Sequence, residues 1–131
     1  MSGGPVSWES RKQRTVALSS TESEYMALSE ATKEAMHLRR FSEEIGAGPP
    51  PTVVIHIDNQ GAKKLAENPV HHSRTKHIHV RHHFVREAIS MGKVNLEYLA
   101  TDRMPADVLT KGLSSVKHYN CLKGVLINDI F

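Results

Sequence analysis

A chain of 131 residues, 39% hydrophobic and 24% charged, suffices for one small domain with a single core and does not have the composition of a disordered protein. Its one cysteine, Cys121, excludes a disulfide within the chain and fits a reducing, intracellular setting, cytoplasmic or nuclear. A formal charge of +3 permits nucleic-acid binding without arguing for it, and the absence of a signal-peptide core or a membrane-length apolar run points to a soluble chain with no membrane partner.

In "PVSWES", Val6 and Trp8 alternate with Ser7 and Glu9, which predicts a short strand. "SSTES" then offers several N-caps for a long helix. Its expected inward stripe is Leu28, Ala31, Ala35, Leu38, Phe41 or Ser42, and Ile45, and Gly46 with "GAGPPP" stops it. "TVVIHID" is β-branched and almost continuously apolar, the pattern of a buried central strand. "NQGAKKLAEN" predicts a short helix closed by Asn68-Pro69. "VHHSRTKHIHVRHHFVREAISMG" opens as a loop and becomes a helix ending at Gly92, with Ile78, Val85, Ala88 and Ile89 facing inward. "KVNLEYLAT" alternates Val94, Leu96 and Tyr98 and predicts a strand. "MPADVLTKGL" predicts a short helix with Pro105 near its start, and the tail "SSVKHYNCLKGVLINDIF" reads as either a last helix or a strand.

Trp8 and Tyr98 are expected in core or edge packing, Lys63 and Lys64 on a solvated helix face, and Cys121 as a small buried hydrophobe or an incidental thiol. Strands alternating with helices indicate an α/β layered domain. Such sheets bind ligands beyond the carboxyl ends of their strands, where Asp58 is placed.

Three carboxylates stand at element ends: Glu24 in the first turn of the long helix, Asp58 at the end of the central strand, and Asp107 in the first turn of the helix near Met104. Clustered acids repel one another unless cations lie between them, and oxygen ligands suit Mg²⁺ or Mn²⁺. A pair of such ions activates water and stabilises the leaving oxygen in phosphodiester cleavage. Each acid also has a structural alternative. Thr21-x-x-Glu24, like Ser19-x-x-Glu22, fits a capping box; Asp58-Asn59 fits a turn or an N-cap; Asp107 complements a helix dipole.

Nine histidines form a second theme, several of them between His71 and His83. His79, His82 and His83 share one helix face by spacing, which is conceivable for zinc although no cysteine or finger spacing accompanies it. With Arg74, Lys76, Arg81 and Arg86 they make either a solvated polar face or a phosphate-contacting surface.

"SWESRKQRTVALSSTESEYMALSEATKEAMHLRRF", "IHIDNQGAKKLAENPVHHSRTKHIHVRHHFVREAI" and "MPADVLTKGL" closely resemble, in order and spacing, the C-terminal ribonuclease H domain of Ty1/copia-type retrotransposon polyproteins. The resemblance runs from about Gly4 to about Leu122. It implies an α/β, ribonuclease H-like mixed sheet with flanking helices that hydrolyses the RNA strand of RNA–DNA hybrids with two Mg²⁺ ions held by carboxylates. Carried over by motif, "SEYMAL" makes Glu24 the helix carboxylate, "IDNQ" makes Asp58 the strand carboxylate and "PADVLTK" makes Asp107 the last one.

Relative to that family the chain lacks the first two strands and the carboxylate that bridges both ions, His79 stands where an acid is usual, and Gly61 replaces a serine. The expectation is therefore a single, partial domain with weak or no hybrid cleavage. A homodimer is expected, joined through an edge at "PVSW" left open for pairing with a second copy or by an exchanged terminus. The alternative is a domesticated, non-catalytic module that binds nucleic acid through the His/Arg helix, or binds a host protein.

Overall fold

The computed structural model describes residues 4–14, 16–68 and 76–125, with backbone alone for 76–79. They form a mixed α/β protein of four α-helices and a small sheet of two parallel strands. The chain divides into two compact units, one spanning Ala17–Tyr98 and the other combining Met1–Val16 with Leu99–Phe131.

The larger unit holds α1 (Ser20–Glu44), β1 (Val53–Ile57), α2 (Gln60–Glu67), α3 (Lys76–Ser90) and β2 (Val94–Tyr98). Helix α1 begins where it does because extended Ser19 caps it: the Ser19 hydroxyl accepts from the Glu22 N–H at 3.1 Å. Glu22 in turn accepts from the Leu18 N–H at 2.6 Å. Of the two possible capping boxes the chain uses Ser19 and Glu22.

The buried face of α1 is Tyr25, Met26, Leu28, Ser29, Thr32 and Ala35. The expected stripe through Ala31, Phe41 and Ile45 is corrected, since all three are exposed. At Phe41 and Ile45 length gives the reason. Twenty-five helical residues rise about 37 Å, whereas a five-residue strand covers about 17 Å, so α1 overshoots the sheet beneath it. Two polar residues sit in its core half, and Thr32 settles its hydroxyl on the Leu28 carbonyl at 2.8 Å.

Strands β1 and β2 pair in register from Val53↔Val94 to Ile57↔Tyr98, joined through α2 and α3. Ile57, Val94 and Leu96 are buried, while Val54, His56, Asn95 and Glu97 are exposed. "TVVIHID" is thus covered on one face, not buried on both as its run of apolar residues suggested. Tyr98, expected in packing, is exposed at the strand end.

The core joins Tyr25, Leu28 and Ala35 of α1, Ile57 of β1, Ala62 and Ala66 of α2, Val85 and Ala88 of α3, and Val94 and Leu96 of β2. Val85, Ala88 and partly buried Ile89 match the inward set expected of α3; the side chain of Ile78 lies outside the described residues. Asn59 caps α2, its Oδ1 accepting from the Ala62 N–H at 2.9 Å. The proline link is tied back to α1 by the Arg39 guanidinium, which donates to the carbonyls of Pro50 and Pro51.

The smaller unit holds two tight 3-10 turns, Thr101–Arg103 and Pro105–Leu109, and α4 (Ser115–Val125), which resolves the ambiguous tail as helix. "PVSWES" forms no strand: Val6 and Trp8 are exposed, Trp8 at 72%, and no ladder partner pairs with them among the described residues. The strand edge expected there for joining a second copy is therefore not formed. That segment instead anchors through Ser10, whose hydroxyl donates to the Leu109 carbonyl at 2.8 Å. Among the described residues no helix is long and apolar enough to cross a membrane.

Candidate functional site

Two of the three candidate acids, Glu24 and Asp58, lie in the larger unit; Asp107 lies in the smaller one. Asp58 directly follows β1, at the carboxyl end of the strand, and Asn59 then starts α2. The first turn of α1 reaches the same end. A Cβ built on Gly61 would stand 3.3 Å from Thr21 Oγ1 and 3.1 Å from Asn59 Oδ1, so the two helix starts touch where glycine leaves room. Glu24 follows Thr21 by one turn and is half-buried, as is Asp58. The residues at the N-cap positions are Ser19 for α1, with Glu22 closing its box, and Asn59 for α2.

Asp107 is different. It is 4% exposed, in the Pro105–Leu109 turn. Its Oδ1 accepts from Lys111 Nζ and its Oδ2 from Lys117 Nζ, each at 2.8 Å. Burial pushes the Asp107 carboxyl upward, but the hydrogen bonds and charges of the two ammonium groups outweigh it and hold the group below the ordinary carboxylate range. Lys111 was visible at i+4; Lys117 carried no signal, since it lies ten residues on, across a turn and in a tail of unassigned structure.

The His/Arg helix does not present one face. His82 is 9% exposed and turned inward, its ring stacked on Tyr25 with centroids 4.0 Å apart and planes 23° from parallel. His83 is exposed. Arg86 also turns inward: its Nη2 donates to the Asn68 carbonyl at 2.7 Å and to that of Leu65 at 3.5 Å, holding α3 to the end of α2. Arg81 lies 3.5 Å from Glu30 of α1 and is half-buried. Arg74 and the side chains of Lys76 and His79 lie outside the described residues.

Tyr25 is a site residue that the sequence did not single out. Burial pushes its phenol up to about 12, against the opposing charge of Arg86. Its position at the head of the buried stripe was readable; its partner across α3 was not.

Both oxygens of Asp107 already accept from lysines. Within neither unit do three or more described His, Cys, Asp or Glu side chains stand where one ion could join them.

Comparison with known proteins finds similar segments in transposon polyproteins. Over 120 residues, 92% of the chain, it is 42% identical to the retrovirus-related Pol polyprotein from transposon TNT 1-94 of Nicotiana tabacum. Over 116 residues, 88% of the chain, it is 40% identical to the corresponding polyprotein from transposon RE2 of Arabidopsis thaliana. The chain spans only 9% and 8% of the lengths of these two relatives. A 38-residue stretch, 29% of the chain, is 76% identical to the secreted RxLR effector protein 161 of Plasmopara viticola, covering 27% of that protein. No family model matches the chain. No solved structure matches it. At about 40% identity along nearly its whole length, the chain is similar to one segment of retrovirus-related Pol polyproteins of plant transposons.

Proposed function

We propose that the chain is the ribonuclease H-like segment of a retrotransposon-derived polyprotein, a module that engages RNA–DNA hybrids and by itself cleaves them weakly or not at all. The observation that carries this reading is the shared end of the larger unit. There β1 runs into Asp58 while the first turn of α1, one turn before Glu24, lies against the first turn of α2. An α/β unit offers its ligand site at the carboxyl ends of its strands. Glu24 and Asp58 are also the helix and strand acids of the resembling motifs.

Weak cleavage follows from Asp107. Two-ion hydrolysis depends on several carboxylates held in fixed geometry, and this one is occupied by Lys111 and Lys117. Nucleic-acid contact falls to α3, where exposed His83 and half-buried Arg81 lie in the helix whose sequence also carries Lys76 and His79, with Arg74 just before it in the chain. His82 and Arg86 position that helix by fastening it to α1 and α2.

The test is fluorescence anisotropy of a labelled RNA–DNA hybrid, with duplex DNA as competitor, on the wild type and on Arg81→Glu/His83→Glu. Hybrid should be preferred, affinity should fall with salt, and the double variant should bind about tenfold more weakly, with a shallower salt dependence. Equal affinity for duplex DNA, or unchanged binding by the variant, would overturn the reading.

A further inference from the structure

Helix α4 meets the Pro105–Leu109 turn along a single stripe. Lys117, Cys121 and Gly124 fall on one helical face by their spacing of four and three. Each touches a different residue of the turn or its cap. Lys117 Nζ lies 2.8 Å from Asp107 Oδ2, and Cys121 Sγ lies 3.4 Å from the Met104 carbonyl oxygen. At Gly124 an added Cβ would come within 3.0 Å of Pro105 Cγ, tighter than ordinary contact, so the two backbones approach closely there.

The apolar part of this docking is thin. Cys121 is the only buried residue of α4 among the described residues, while Val116 and Tyr119 are exposed. A helix that buries one small side chain gains little from the hydrophobic effect, so its ionic contact carries unusual weight. That contact is well made: Asp107 offers one oxygen to each ammonium, and its side chain is 6% exposed. Its backbone carbonyl also closes the turn, accepting from the N–H groups of Thr110 and Lys111 at 3.2 and 3.0 Å. A divalent ion at this carboxylate would have to occupy the space of two ammonium groups, and displacing Lys117 would release α4.

We infer that Asp107 is the ionic anchor of α4 on the Pro105 turn and is not a ligand of a divalent cation, contrary to the role that its "PADVLTK" motif implies. The anchor is a closed arrangement in which two cations already neutralise one buried carboxylate. The inference deepens the weak-cleavage half of the proposed function and is independent of hybrid binding, because it concerns the smaller unit alone.

Two measurements test it. The first is amide hydrogen exchange of α4 in the wild type, Asp107→Asn, Lys117→Met and the double variant. Each single variant should speed exchange of residues 117–124 by about tenfold or more, and the double should exceed either single by no more than about twofold. The second is a Mn²⁺ titration of the wild type followed by paramagnetic broadening of amide signals, in which residues 105–111 should keep their line widths. Additive effects of the two single variants would overturn the inference. So would broadening centred on Asp107 that Asp107→Asn removes. If Asp107→Asn does not fold, Lys117→Met and the titration of the wild type still decide the matter: exchange as slow as wild type in Lys117→Met, or broadening at Asp107, would overturn it. Neither readout depends on nucleic acid, so failure of the hybrid reading leaves the result interpretable.

Discussion

Replacing Tyr25 by Phe removes one oxygen from the core and little else. The residue is 2% exposed, its ring stacks on His82, and its hydroxyl has no hydrogen-bond partner among the described residues. An unpaired buried hydroxyl costs about 1–3 kcal/mol. The variant keeps the ring, so it should be more stable by about 1 kcal/mol near neutral pH, roughly fivefold in the folding equilibrium. The effect grows in alkali. With the phenol raised from 10.0 to about 12, the folded chain keeps a proton that the unfolded chain gives up. That contribution to stability is complete below pH 10 and is lost as pH rises from 10 towards 12. The span corresponds to roughly 2–3 kcal/mol at this buried site. Urea unfolding followed by circular dichroism, at neutral pH and along the alkaline limb, measures both effects. Phenolate absorbance should show one late step in the wild type that the variant lacks. A variant less stable by more than about 1 kcal/mol would mean that the hydroxyl has a partner and would refute the reasoning.

Three other substitutions probe particular contacts. Ser19→Ala should destabilise the larger unit by about 1 kcal/mol in chemical denaturation and speed hydrogen exchange at the start of α1. Gly61→Val should lower stability by about 1–3 kcal/mol, because its Cβ meets Thr21 and Asn59 at 3.3 and 3.1 Å; an unchanged melting temperature would mean that the helix starts can part freely. The carboxyl of Asp107 is held below its usual 3.8, so its ion pairs add stability above pH 3.8 that is lost as pH falls through the lower folded value. An acid titration of α4 helicity should show this loss in the wild type and not in Asp107→Asn.

Much of the fold was legible because its signals are local. The caps before α1, the β-branched run of β1, the alternation of Val94 and Leu96 and the glycine after α3 each act within a few residues. What sequence missed depends on distant partners. "PVSWES" has the alternation of a strand but no ladder to join, and α1 continues its apolar stripe beyond the elements that could cover it. Spacing could not choose between Glu22 and Glu24 as the capping acid, since both follow a hydroxyl residue by three; only the Ser19 and Leu18 hydrogen bonds decide it. The site divides in the same way. Asp58 at the end of β1 was readable from strand logic, but the lysine clasp on Asp107 and the stacking of His82 on Tyr25 arise from packing between separate elements.

The most direct test of the central claim is a labelled RNA–DNA hybrid incubated with Mg²⁺ or Mn²⁺ and the wild-type chain, beside Asp58→Asn. A ribonuclease H-like module that engages hybrids without a complete ion site predicts that both proteins retain the hybrid and that neither cleaves its RNA strand above background. Efficient cleavage by the wild type that disappears in Asp58→Asn would contradict it, and would mean that the chain completes a catalytic centre despite the lysines on Asp107.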